Sequence, residues 1–173
     1  MPKNVINIII VFVSLVIAQA VIFNNLVLFN CAVALVFIFL IVELPITMSL
    51  NVFLTISFLL GLSVDIFQDT PGLNALTCTI VAFIRKPIFY LYVPRDEDFA
   101  GKRICINTLG TNTYLKYMLT VVLAYCVIYF PLEVLSLRDF FRLLLRLIAS
   151  TAFTFIVLFA IDSLTVKNRE KRL

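Results

Sequence analysis

The sequence contains no histidine, no tryptophan and only four glycines in 173 residues. Without His, the chain lacks the side chain most used as a general base and metal ligand near neutral pH. Without Trp, anchoring at a membrane surface falls to the six tyrosines and to Lys or Arg. Charge is scarce as well: 14% of residues are Asp, Glu, Lys or Arg, where a soluble domain carries about 25%. That is too little polar surface to cover a water-facing globule, which excludes a soluble enzyme fold. Cys31, Cys78, Cys105 and Cys126 lie far apart and lack the paired spacing of zinc or redox sites. They read as small packing residues, so no disulfide framework, metal centre or cofactor is expected.

What is present is apolar: 62% of residues are hydrophobic and the mean hydropathy is +1.10. A spanning helix takes about 20 such residues. The pattern predicts one all-α polytopic domain over residues 1–173, a six-transmembrane-helix bundle with spans at 5–23, 26–43, 46–64, 72–93, 113–134 and 140–166. Asn24-Asn25 breaks the first two spans, and Pro45 closes the second, because proline disfavours helix in the residue before it. Ala18-Gln19-Ala20 imitates a signal-peptidase site, but the run around it is long enough to span. Arg85-Lys86-Pro87 interrupts the fourth span, where the long side chains are expected to snorkel and the helix to kink. Residues 94–112 form the one long connection, rich in charge.

Placing Met1 in the cytoplasm puts eleven of the 14 basic residues on that side, leaving only Arg138, Arg142 and Arg146 outside. The bias predicts both termini in the cytosol. It also accounts for the net charge of +4 without nucleic acid, since basic residues beside membrane helices meet anionic lipid headgroups. The basic tail has a second reading as a contact for a cytoplasmic protein.

Asp65 and Asp69 sit at the outer ends of the third and fourth spans, where a carboxylate costs several kcal/mol unless paired or wet. They define either a buried polar node or ion path, or a solvated loop in which Asp69 caps the fourth helix ahead of Pro71. Arg138, Arg142 and Arg146 recur every four residues and make one stripe on a helix. Their partners on the same side are Asp65, Asp69 and Glu133; the alternative is contact with another protein or lipid phosphate. Ala149, Ser150, Ala152 and Thr154 give the sixth span the best small-residue face, for packing within the chain or against a second copy. The 17 phenylalanines read as bulk. No Ser or Cys stands beside a base, so catalysis is not expected.

Gly61-Leu62-Ser63-Val64-Asp65-Ile66-Phe67, followed by Thr70-Pro71-Gly72-Leu73-Asn74-Ala75-Leu76, contains a G-x-x-x-D element and a G-x-N-A element. With the chain length and span pattern, this resembles the bacterial rod shape-determining protein MreD family. Pro94-Arg95-Asp96, Tyr114-Leu115-Lys116-Tyr117 and residues 133–141 look like its Bacteroidetes branch. The resemblance implies a non-catalytic inner-membrane scaffold of the elongation machinery for peptidoglycan synthesis and cell shape. Such a scaffold binds MreC directly and works with MreB, RodA and a class B penicillin-binding transpeptidase. The matching positions are Gly61, Asp65, Gly72, Asn74 and Ala75, with Arg85, Arg95 and Asp96 at branch level. Gly72 would permit the turn, Asn74 would bond loop carbonyls and Asp65 would anchor the loop to a basic partner. MreD proteins are also similar in fold to the S-components of energy-coupling-factor transporters, which supplies an alternative expectation: a small-molecule or lipid-binding carrier with an outward-facing cavity.

Overall fold

Backbone N–H and C=O groups cannot stay bare in hydrocarbon, so a chain this apolar satisfies them within helices or against its own interior. The computed structural model describes residues 2–23, 27–28, 32–94, 104–133 and 140–170. Helix α1 (Pro2–Ala18) runs into a π-helical turn (Gln19–Phe23), followed by a minimal antiparallel hairpin of β1 (Val27–Leu28) and β2 (Ala32–Val33). The remaining elements are α2 (Ile38–Glu43), α3 (Leu50–Gln68), α4 (Leu73–Tyr92), α5 (Ile106–Leu109), α6 (Thr111–Glu133) and α7 (Phe140–Glu170). The packing order is α1 on α3, α3 on α4, α4 on α6 and α6 on α7.

Among the described residues, four helices are long and apolar enough to cross a membrane: α3, α4, α6 and the 143–163 part of α7. Their outward faces carry Phe58, Leu59, Phe83, Leu91, Leu123, Ile148 and Ile156, all exposed, while Asp65, Asn74, Arg85 and Asp162 are buried. Polar inside and apolar outside inverts the soluble pattern and fits a lipid surround. Along α1, Ile6, Ile9, Ile10, Val13, Ile17 and Val21 form an exposed stripe at helical spacing, while Leu15, Val16 and Gln19 face inward.

The second expected span is where structure and sequence part. Residues 26–43 do not form one helix; a hairpin and an extended stretch lead into the six-residue α2. Hydropathy cannot separate the two outcomes, because a fully buried extended segment is as apolar as a spanning helix. Residues 34–42 are all within 4% of complete burial and run through the interior of the bundle. Irregular backbone at this depth survives only where protein supplies its hydrogen bonds. Gln19 supplies two: its Nε2 donates to the Ala34 carbonyl (3.0 Å) and its Oε1 accepts from the Val36 N–H (2.9 Å). Between them, the Leu35 N–H donates to Thr154 Oγ1 on α7 (3.1 Å). At the other end, the Ile104 N–H donates to the Glu43 carbonyl (3.1 Å). Gln19, which as a sequence feature only interrupts an apolar run, is therefore a structural clamp.

The tyrosines also depart from expectation. Four of the six lie on one inward face of α6, at 114, 117, 125 and 129, rather than in an interfacial belt. Phe37 packs edge-on against Tyr125 (5.7 Å between ring centroids), and Tyr129 stacks on Tyr125 (5.8 Å). The proline of α4, Pro87, lies inside a helix that continues to Tyr92.

Gln19→Leu strips partners from two buried backbone groups at once. It is expected to destabilise the fold by about 2–4 kcal/mol, measured as the shift in the circular-dichroism melt of the detergent-solubilised protein. Gln19→Glu retains an acceptor and loses the donor, so its melt is expected to fall between the two.

Candidate functional site

The G-x-x-x-D and G-x-N-A elements meet at the turn between α3 and α4. Gly61 brings the helices together: a Cβ there would lie 2.5 Å from the Ala75 Cα and 2.5 Å from the Asn74 carbonyl oxygen. Both obstacles are backbone, so any larger residue forces the helices apart. Asp69 ends α3 in the left-handed region (φ 51°), with its own N–H and that of Thr70 returning to the Asp65 carbonyl. Gly72 precedes α4 at φ +79° with open space where a Cβ would be. Conformation demands this glycine, whereas space demands Gly61.

Gly72 has no side chain to cap α4, and Asp65 does the capping from the preceding helix. Its Oδ1 accepts from the Asn74 N–H (3.0 Å) and its Oδ2 from the Ala75 N–H (2.8 Å), the second and third helical positions. The same Oδ1 accepts from Asn74 Nδ2 (2.9 Å) and from the Thr70 hydroxyl. A carboxylate at a helix N-terminus is favoured by the free N–H groups and by the helix dipole. Asn74 extends the network, donating to Gln68 Oε1 (2.9 Å) and accepting from the Tyr125 hydroxyl of α6 (2.7 Å). One carboxylate thus ties α3 to α4, and through Asn74 to α6.

This corrects three expectations. The cap of α4 comes from Asp65, not Asp69, whose side chain is exposed on the turn. Asp65 is turned inward onto neutral donors rather than outward to a basic partner. Asn74 bonds the carboxylate, the Gln68 amide and a tyrosine, and its side chain makes no bond to a loop carbonyl among the described residues. Of the expected ion network, Arg146 reaches Glu133 (3.4 Å), with both about a third exposed, and lies 5.4 Å from the Phe130 ring. A single half-wet pair of this kind adds little stability. Arg95, Asp96 and Arg138 lie outside the described residues, as does the side chain of Arg142.

A second polar node lies at the opposite end of α4. Arg85 does not snorkel; at 2% exposure it is the largest fully buried side chain among the described residues. Its Nε donates to the Tyr117 hydroxyl (2.7 Å), and Nη2 to the carbonyls of Val42 (3.2 Å) and Leu44. Those carbonyls end α2, where unpaired C=O groups and the helix dipole favour a cation. Lys86, its neighbour, is exposed. Ala149 is half-buried and Ala152 exposed, but Ser150 and Thr154 face the core, so half of the small-residue face of α7 packs within this chain.

Sequence reasoning misses Tyr125, Gln68 and Asp162. The i, i+3, i+11, i+15 spacing of the α6 tyrosines keeps them on one helical face and marks Tyr125 in retrospect, and Asp162 is a lone carboxylate in an apolar run, buried to 1% exposure. Among the described residues, no group of three His, Cys, Asp or Glu side chains is placed to hold a metal ion. Comparison with family models, with curated proteins and with solved structures finds no match to this chain.

Asp65→Ala leaves the Asn74 and Ala75 N–H groups uncapped and is expected to cost about 3 kcal/mol in detergent melts. Asp65→Asn is expected to be nearly as damaging, because its NH2 would face one of the N–H donors. Gly61→Ala is expected to cost at least about 1–3 kcal/mol from forced separation of α3 and α4, whereas Asp69→Asn, which keeps a side chain suited to the left-handed backbone of the exposed turn, leaves the melt close to wild type.

Proposed function

We propose that this chain is a non-catalytic membrane scaffold of the MreD kind, which binds MreC and through it joins MreB, RodA and a class B transpeptidase in cell-wall elongation. The observation that carries the reading is the fate of the signature residues. Gly61, Asp65, Asn74 and Ala75 meet in one lock whose carboxylate is filled by neutral donors of the same chain. A carboxylate whose two oxygens accept four hydrogen bonds within its own chain is held in one orientation and serves the shape of the α3–α4 turn. A rigid, oriented bundle is what holding neighbours requires.

The proposal includes six passes through a bacterial inner membrane with both termini in the cytosol. Beyond the four long helices, α1 with its π turn supplies one pass, and the buried stretch through α2 another. The Lys and Arg bias supports the orientation. The carrier alternative draws less support, since residues 34–42 fill the interior that a ligand cavity would need.

Co-purification tests the partner. Tagged protein extracted in mild detergent together with MreC is expected to elute with it in constant proportion, and repeated absence of a complex contradicts the proposal. Orientation is tested by thiol labelling of intact cells: a cysteine at exposed Asp69 is expected to react with an impermeant reagent, and one at Lys3 only after permeabilisation.

A further inference from the structure

Val52, Thr55, Leu59, Leu62, Ile66 and Asp69 follow one another along α3 at alternating steps of three and four residues, and every one of them is exposed. That spacing keeps one seam of a helix against a neighbour in left-handed packing, the usual geometry between membrane helices. The opposite face of α3, with Phe53, Ser57, Leu60 and Gly61, is buried. The seam therefore points away from the rest of the described chain.

Apolar spacing alone suits acyl chains as well as a helix, but the end of the seam is different. Leu62, Ile66, Asp69 and the turn residues Thr70, Pro71 and Gly72 line an open recess of about 340 Å³. That is far above the roughly 30 Å³ share of one water, and admits a long side chain. Gly72 keeps the space clear, since no atom lies within 4 Å of where its Cβ would be. The electrostatics of the recess select a cation. Asp69 sets a carboxylate at the C-terminus of α3, where the helix dipole is also negative, while the positive start of α4 is taken by Asp65. Asparagine or glycine would suit the left-handed backbone of residue 69 at least as well, so the turn itself does not require the charge.

A second copy of this chain is a poor occupant. Two copies in one membrane share an orientation, so a two-fold contact along the seam would set Asp69 against Asp69. We infer that the seam of α3 receives one transmembrane helix of a different protein, whose Lys or Arg at the outer end enters the recess and pairs with Asp69. The inference rests on the scaffold reading above and gives it a contact face. Apolar residues supply the packing along the helices, and the ion pair fixes their relative depth and register.

Photocrosslinking from the whole chain, co-expressed with MreC, tests it. A benzoylphenylalanine at Leu62 or Ile66 is expected to form a covalent adduct with MreC, whereas the same probe at Leu123 of α6 or Ile156 of α7, both exposed, forms none. In mild-detergent co-purification, Asp69→Asn is expected to lower the recovery of MreC about fivefold, and Asp69→Lys to lower it further by bringing like charges together. If the wild type carries MreC but the α3 probes give no adduct, or the Asp69 variants recover as much MreC as the wild type, the docking face is overturned and the scaffold reading stands. Adducts joining two copies of this chain at Ile66 overturn it as well. A wild type that never carries MreC overturns both.

Discussion

The bundle depends on one carboxylate doing the work of a missing cap. Because Gly72 must be glycine to make the turn, α4 begins without a capping side chain of its own, and the N–H groups of Asn74 and Ala75 need a partner from elsewhere in the protein. Asp65, one turn before the end of α3, satisfies both. It reaches them only because Gly61 lets the α4 backbone approach closely. A turn glycine, a contact glycine and an acid are therefore one device, and Asn74 carries its effect across to Tyr125 on α6.

The same rule, that backbone polar groups in lipid find partners inside the protein, explains the interior stretch from Ala34 to Leu44. An extended chain in hydrocarbon would be prohibitive, but here its N–H and C=O groups meet Gln19, Thr154 and Arg85. The side chains that look out of place in the sequence are the ones that make the irregular path affordable. Polar residues at both ends of α4 thus have one purpose: each closes a gap that helical hydrogen bonding leaves open.

Much of this was legible beforehand, and the limits have physical causes. Hydropathy and length predict six spans, of which four stand among the described residues as helices long and apolar enough to cross a membrane. The importance of Gly61, Asp65, Gly72, Asn74 and Arg85 was visible as motif or as charge out of place, but not the direction in which each side chain turns. Asp65 in an apolar run is equally consistent with an outward salt bridge and an inward cap; only the close approach at Gly61 decides. The 26–43 stretch misled because Val, Leu, Ile and Phe suit a buried strand as well as a helix, and the residues that distinguish the cases, Gln19 and Thr154, are distant in sequence. The tyrosines depart for a related reason: the Tyr117 hydroxyl accepts from Arg85 and the Tyr125 hydroxyl donates to Asn74, both on α4, so these two serve buried partners instead of the lipid interface.

The most direct measurement is amide hydrogen exchange at Asn74 and Ala75, compared between the wild-type protein and Asp65→Ala in the same micelles. In an uncapped first helical turn these N–H groups have no intrahelical acceptor and exchange readily. The account predicts strong protection at both amides in the wild type, lost at both in the variant while the middle of α4 stays protected. Rapid exchange at the two positions in the wild type, or protection indifferent to the loss of Asp65, would contradict it.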